Sequence, residues 1–373
     1  MLYVIREGCK WLRPSLFFVC SNSSATEFFT TFVSMKITID NAIPFIAGVF
    51  EPYAEVQYLA GERFDADSVR DSDALIIRTR TKCNAALLDG SRVRVIATAT
   101  IGYDHIDLDY CRAHDIEVAT AAGCNSRGVL QWVAAALKSI CERDGSRPAD
   151  HCLGIVGVGN IGRLVEEYGR RWGFRVLCCD PPRARAEGGD FRSIDVLAQS
   201  CDIITFHVPL IRQGEDCTVH LAGERFFSQL TPNAVVLNAS RGEVVDNDRL
   251  SRAIAEGRCS AYLDVWENEP TLNRELLSQV VAATPHVAGY SAQGKANATA
   301  MSVQAVARRF GLPLGDYFPV EVERVEPQPI EWAQMCATID RYCDLASESR
   351  ALREHPDRFE QLRNEYRYRE EYF

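Results

Sequence analysis

No stretch of the sequence approaches the roughly 18 consecutive apolar residues that a membrane-crossing helix needs, so no membrane association is expected. Positive charge is scarce, with 41 lysines and arginines against 51 acidic residues and a formal net charge of −10. Such a surface repels nucleic-acid phosphates and anionic lipid, and nucleic acid is not an expected partner. The 14 cysteines include no CxxC pair, only the adjacent Cys178 and Cys179. With no cysteine–histidine array at zinc-ligand spacing either, no metal site is expected, and the cysteines read as reduced thiols of a cytoplasmic protein. There is no internal repeat, and hydrophobic residues at 47% beside charged residues at 25% exclude a disordered or collagen-like chain.

At 373 residues the chain exceeds one ordinary domain, and two or three are expected. Lys10 and Arg13 precede a short apolar run, Leu16-Phe17-Phe18-Val19, that imitates a secretory signal. The run is too short for one, and no small-residue cleavage site follows it. Met35 directly precedes Lys36-Ile37-Thr38-Ile39-Asp40, which reads as an opening strand. Residues 1–34 are therefore expected to be a disordered extension, with Met35 as the natural start.

From 35 to about 125, apolar strands such as Ala74-Leu75-Ile76-Ile77 and Val93-Arg94-Val95-Ile96-Ala97 alternate with helical or turn segments. Between Ser126 and Glu142, Val129, Trp132, Val133, Ala136, Leu137 and Ile140 recur at helical spacing, until Asp144-Gly145-Ser146-Arg147-Pro148 breaks the pattern. Strand candidates follow at 153–157, 175–179, 202–206, 234–238 and 260–264, the rhythm of a doubly wound sheet. A helical stretch runs from Gly289 to about Phe310, and the remainder is rich in Glu and Arg. The expected fold is α/β: two doubly wound, Rossmann-like parallel-sheet domains with a cleft between them, plus a small α+β or helical C-terminal segment. One domain is expected at 35–125 with about 290–310 and the other at 126–289, while 311–373 is assigned to homodimerisation.

Leu153-Gly154-Ile155-Val156 runs straight into Gly157-Val158-Gly159-Asn160-Ile161-Gly162, and Arg163 to Trp172 reads as a helix. In that context Gly157 permits the tight turn, Gly159 lets the backbone approach a pyrophosphate, and Gly162 allows close helix packing. Asp180 ends the next strand, eighteen residues beyond Gly162, near the spacing of a carboxylate that binds the adenosine ribose hydroxyls. Its charge would repel a 2′-phosphate, so NAD is expected rather than NADP, although Arg183 and Arg185 lie close by.

Arg241 in Asn238-Ala239-Ser240-Arg241-Gly242, Glu269 in Asp264-Val265-Trp266-Glu267-Asn268-Glu269-Pro270, and His286 in Thr284-Pro285-His286 each follow a strand-like run. Loops beyond the carboxyl ends of parallel strands line the ligand crevice, so the three should converge beside the nicotinamide. Oxidising a secondary alcohol needs a base for the hydroxyl proton, which we assign to His286. A neighbouring carboxylate, Glu269, stabilises imidazolium and fixes the tautomer. Arg241 can grip a substrate carboxylate through two hydrogen bonds and polarise the reacting C–O bond. Taken singly, each also has a plain structural reading: a core histidine, a helix cap and a surface ion pair. His207 competes for the role of base, but follows an earlier strand and lacks a downstream carboxylate motif.

These motifs resemble those of the D-isomer-specific 2-hydroxyacid dehydrogenase family across most of residues 35–310. Ala99-Thr100-Ile101-Gly102-Tyr103-Asp104-His105, Ala122-Gly123-Cys124-Asn125, Cys179-Asp180-Pro181-Pro182-Arg183-Ala184 and His286-Val287-Ala288-Gly289-Tyr290 are similar to a subgroup acting on a phosphorylated acid in pyridoxal 5′-phosphate biosynthesis. The resemblance implies NAD-dependent oxidation of 4-phospho-D-erythronate to 2-oxo-3-hydroxy-4-phosphobutanoate, with Arg241, Glu269 and His286 as the catalytic triad. It also implies NAD contacts from the glycine loop with Asn160 and Ile161, from Asp180, Ala239, Ser240, Arg241, Asp264 and Gly289, and substrate contacts at Thr79, Thr100 and Tyr290. The first domain is implied to close over the cofactor as a lid. Val208 stands where the subgroup commonly has threonine, so a side-chain hydrogen bond is not carried over there, whereas Thr79 in place of serine keeps its hydroxyl. Arg78 and Arg80 flank Thr79, strand alternation would put them on one face, and at least one is expected to bind the distal phosphate. The alternatives are another 2-hydroxyacid dehydrogenase, such as phosphoglycerate dehydrogenase, or an NAD-sensing binding protein of corepressor type.

Overall fold

The computed structural model describes residues 35–373; the expected disordered extension at 1–34 lies outside the described residues. Two parallel sheets organise the chain. The first consists of β1 (Lys36–Asp40), β2 (Glu55–Leu59), β3 (Ala74–Ile77), β4 (Val95–Thr98) and β5 (Glu117–Thr120) in the order β2-β1-β3-β4-β5. Strand alternation splits its side chains between two cores. Ile37, Ile39, Ile76 and Ala97 pack with Val303 and Val306 of the helix Ala292–Phe310, while Leu75, Ile77 and Ile96 pack with Val69, Leu87 and Leu88.

The second sheet comprises β6 (Cys152–Val156), β7 (Arg175–Cys179), β8 (Ile203–Phe206), β9 (Ala234–Asn238), β10 (Cys259–Leu263) and β11 (Ala282–Ala283) in the order β11-β10-β9-β8-β6-β7. Five of its six strands begin within one residue of the positions read from the sequence, while the two-residue β11 has no counterpart among them. One face receives the helix Ser126–Asp144, whose Leu130, Trp132, Val133 and Leu137 are almost wholly buried. That helix stops at Gly145 (φ 65°), a left-handed position that glycine adopts without steric cost. The order reverses between β6 and β8, which opens a crevice outside their carboxyl ends.

The C-terminal segment is helical, with Trp332–Thr338, Leu345–Glu354 and Phe359–Asn364 followed by an extended tail. It packs on its own chain. Phe373 lies against Tyr168 and Trp172 with ring centroids 5.3 and 6.1 Å apart, and Leu352 and Phe359 join the opposite core. Each such aromatic or leucine contributes roughly 1.5–3 kcal/mol by leaving water. No helix among the described residues is long and apolar enough to cross a membrane.

Candidate active site

The glycine loop leaves β6 at Gly157, where φ is 87° and a Cβ would lie 2.7 Å from Val208 and 2.8 Å from the His207 carbonyl. Nothing lies within 4 Å of a Cβ placed on Gly159, so the backbone there is open to an incoming group. A Cβ on Gly162 would run into the Gly157 carbonyl, which is why the helix Asn160–Trp172 can start hard against the turn. Asp180, at the end of β7, accepts the Val158 N–H at 2.8 Å and the Arg183 N–H at 3.0 Å. The Asp180 carboxylate is thereby fixed beside the loop. An open glycine turn, a helix N-terminus and an adjacent fixed carboxylate match the needs of a dinucleotide's pyrophosphate and ribose.

Three loops after β9, β10 and β11 carry Arg241, Glu269 and His286. His286 has a positive φ of 59°, and its N–H donates to the Asp264 carbonyl at 2.8 Å. Its Nδ1 lies 2.7 Å from Glu269 Oε2, while Glu269 Oε1 accepts the Trp266 N–H at 2.9 Å. Burial alone would raise the Glu269 carboxyl, but His286, the Trp266 N–H and the nearby Arg363 cation together hold it below the usual carboxylate value. No partner engages His286 Nε2 among the described residues, which leaves that nitrogen for proton exchange. Asp264 is 1% exposed and accepts Thr284 Oγ1 at 2.6 Å, Val287 N at 2.8 Å and Ala288 N at 3.0 Å. What it visibly does is fold the loop behind His286.

Asn238 shapes the turn of Ala239 and Ser240, its Oδ1 accepting Ser240 N at 3.0 Å and its Nδ2 donating to the Arg241 carbonyl at 2.8 Å. A Cβ on Gly242 would collide with the Trp266 backbone, so the Arg241 loop lies directly on the loop that holds Glu269. Arg241 makes no hydrogen bond to Glu269 or His286. It donates to the Ser240 carbonyl at 2.7 Å and faces Asp104, 3.7 Å away in the first sheet's loops. Gly102 abuts the same guanidinium, so side-chain-free backbone from one half of the molecule meets Arg241 from the other. Thr100 bonds Thr98 at 2.6 Å, and Gly289 sits against the Asn125 side chain. His207 does not compete: its Nδ1 is buried without a partner, and burial pushes its pKa down to about 3.

Strand β3 ends at Ile77, so the alternation expected to set Arg78 and Arg80 on one face stops before either residue, and Thr79 and Arg80 lie in an exposed turn. Arg78 pairs with the buried Asp40 through Nε at 3.0 Å and Nη2 at 3.2 Å. Arg80 pairs with Glu360 at 2.6 Å.

Sequence reasoning missed how far the C-terminal segment enters this site. Arg363 Nε donates to Tyr290 Oη at 3.1 Å. Arg369, almost fully buried, donates to the carbonyls of Val287 at 3.0 Å and of Ala288, immediately after His286. Glu371 accepts Ser291 Oγ at 2.6 Å and the Gly128 N–H at 3.1 Å. The one available signal was aromatic and basic alternation in Tyr366-Arg367-Tyr368-Arg369, unlike a purely solvated charge run.

Residues 127–288 match the family model described as the D-isomer specific 2-hydroxyacid dehydrogenase, NAD binding domain. The chain is 45% identical over 346 residues to an erythronate-4-phosphate dehydrogenase of Bacteroides fragilis, covering 90% of this chain and 97% of that protein. It is 39% identical over 349 residues to one from Cronobacter sakazakii, with coverages of 91% and 92%. Among solved structures, D-lactate dehydrogenase from Aquifex aeolicus, complexed with NAD and lactic acid, superposes with a TM-score of 0.59 at 23% identity, over 77% of this chain and 100% of that one. The NAD+-bound 3-phosphoglycerate dehydrogenase of Entamoeba histolytica gives 0.63 at 24% identity, over 77% and 98%. These two likenesses support the fold.

Proposed function

The chain belongs to the erythronate-4-phosphate dehydrogenases within the D-isomer-specific 2-hydroxyacid dehydrogenase family, and from that membership and its site we propose that it oxidises 4-phospho-D-erythronate to 2-oxo-3-hydroxy-4-phosphobutanoate. NAD, when bound, supplies the acceptor for the hydride that leaves C2 of the substrate. The glycine loop, Asn160, Ile161 and Asp180 would hold its phosphates and ribose, and Ala239, Ser240, Arg241, Asp264 and Gly289 would line the nicotinamide end. His286 Nε2 takes the hydroxyl proton as the C2–O bond becomes a carbonyl. Glu269 holds the Nδ1 proton and stabilises the imidazolium that results. Arg241 binds the substrate carboxylate and draws electron density from the reacting oxygen. Thr79, Thr100 and Tyr290 are proposed substrate contacts.

The observation that carries this reading is the 2.7 Å His286–Glu269 contact, with the second Glu269 oxygen fixed by the Trp266 N–H. We further read residues 35–125 with 290–310 as the substrate-binding lid, 126–289 as the nucleotide half, and 311–373 as supporting a homodimer. Packing of the helix Ala292–Phe310 onto the first sheet supports the first division. A cytoplasmic setting agrees with cysteines that are all free among the described residues. The test is NADH absorbance with a panel of phosphorylated and unphosphorylated 2-hydroxy acids. A preference for 4-phospho-D-erythronate is expected, and a better rate with 3-phospho-D-glycerate would overturn the substrate assignment.

A further inference from the structure

Cations gather around Tyr290, four residues past His286. Lys295 Nζ stands 3.7 Å from the Tyr290 ring centroid and 5.4 Å from that of Tyr368. Arg363 holds the Tyr290 hydroxyl at 3.1 Å. Arg78 is close enough for its charge to be felt at both Lys295 and Tyr368. Arg78 has Asp40 as a partner, but no carboxylate among the described residues comes within ion-pair distance of Lys295 or Arg363.

Several effects oppose keeping Lys295 charged where it is. It occupies the first turn of the helix Ala292–Phe310, the end at which the helix dipole disfavours a cation. Burial, together with Arg363 and Arg78, lowers its pKa below that of an ordinary lysine. Only aromatic faces compensate, and a cation over a ring contributes about 0.5–2 kcal/mol. A bound dianion would reverse the helix-dipole and like-charge terms at once.

We propose that Lys295 and Arg363, reinforced by Arg78, form the subsite for the substrate's distal phosphate. The proposal rests on the reading of the substrate as a phosphorylated 2-hydroxy acid. Tyr290 joins this subsite to the reaction centre, because it shares a short loop with His286 and the phosphate lies a short arm beyond the reacting carbon. Arg80 is less suited, since its guanidinium is half exposed and already paired with Glu360. Lys295 and Arg363 are thus specificity-determining residues, which separate phosphorylated from unphosphorylated acids of the same backbone.

The experiment compares Lys295→Met and Arg363→Met with the parent enzyme in two measurements. Calorimetry follows inorganic phosphate binding to NAD-loaded protein, and steady-state kinetics gives the ratio of kcat/KM for 4-phospho-D-erythronate to that for D-erythronate. Each variant should weaken phosphate binding, and lower the ratio, by about 10- to 100-fold, the range for loss of one charge-assisted hydrogen bond. Lys295→Arg and Arg363→Lys, which keep the charge but change its geometry, should lose less of the ratio than the methionine variants. Unchanged NAD affinity serves as the folding control. An active parent whose methionine variants retain both phosphate affinity and ratio overturns the subsite. A parent that binds phosphate through these residues but leaves 4-phospho-D-erythronate unoxidised supports the subsite and overturns the substrate reading. A parent that does neither overturns both.

Discussion

Replacing Glu269 with glutamine tests the proton-transfer geometry more sharply than deleting the side chain. The two carboxylate oxygens have different obligations: Oε1 accepts the Trp266 backbone N–H at 2.9 Å, and Oε2 meets His286 Nδ1 at 2.7 Å. A backbone N–H can only donate, so the glutamine carbonyl must face Trp266 and its NH2 must face His286. Nδ1 then becomes the acceptor, the imidazole proton moves to Nε2, and the nitrogen that should receive the substrate proton is already occupied. Flipping the amide would restore the tautomer but oppose two donors at Trp266, at about 1–3 kcal/mol. Loss of the carboxylate charge adds to this. Kcat should therefore fall by about 10²- to 10⁴-fold, or roughly 3–5 kcal/mol at about 1.4 kcal/mol per factor of ten. Glu269→Ala, which admits water and leaves both tautomers accessible, should be no slower than Glu269→Gln. Stopped-flow NADH absorbance under saturating NAD and substrate measures both variants. A glutamine variant within about threefold of the parent, or one clearly faster than the alanine variant, would refute the tautomer argument.

Substituting His286 by alanine should lower kcat by at least about 10²-fold while leaving NAD affinity, followed by fluorescence, unchanged; equal activity would remove it from the role of base. Gly162→Ala drives a Cβ into the Gly157 carbonyl, and should weaken NAD binding and lower stability by about 1–3 kcal/mol, measurable by thermal melting with and without NAD. His207 has a folded pKa pushed down to about 3 from an ordinary 6.5. As pH falls through that window, the unfolded chain takes up a proton that the folded chain refuses, so stability drops. His207→Asn should flatten the loss between pH 6.5 and 4.5 in urea titrations, and an unaltered slope would show that other groups carry it.

The sheets were legible because parallel strands covered on both faces are short apolar runs, and β7 and β9 fall on the stretches marked from sequence alone. The glycine turn and the His286–Glu269 pair were legible for a related reason: each follows such a strand closely, so strand position fixes where the loop emerges. The rest depends on contacts that no local pattern encodes. Arg363 and Arg369 reach the His286 loop from more than seventy residues downstream, and nothing in a run of Glu and Arg says which guanidinium will be buried. Arg78 and Arg80 show the opposite difficulty, since a period-two argument assumes that the strand continues, whereas β3 stops at Ile77. Lys295 carried a readable warning: a lone cation in a helix's first turn sits at the electrostatically wrong end.

The clamp that Arg369 places on the Val287 and Ala288 carbonyls also has a bearing on biosynthesis. Everything the imidazole needs from its own neighbourhood is translated long before residue 369 leaves the ribosome. Yet the peptide segment just behind that imidazole acquires its guanidinium anchor only after a further 82 residues of the chain have followed Val287. A nascent or truncated chain ending before Arg369 would hold the nucleotide half and the ionic dyad without that anchor.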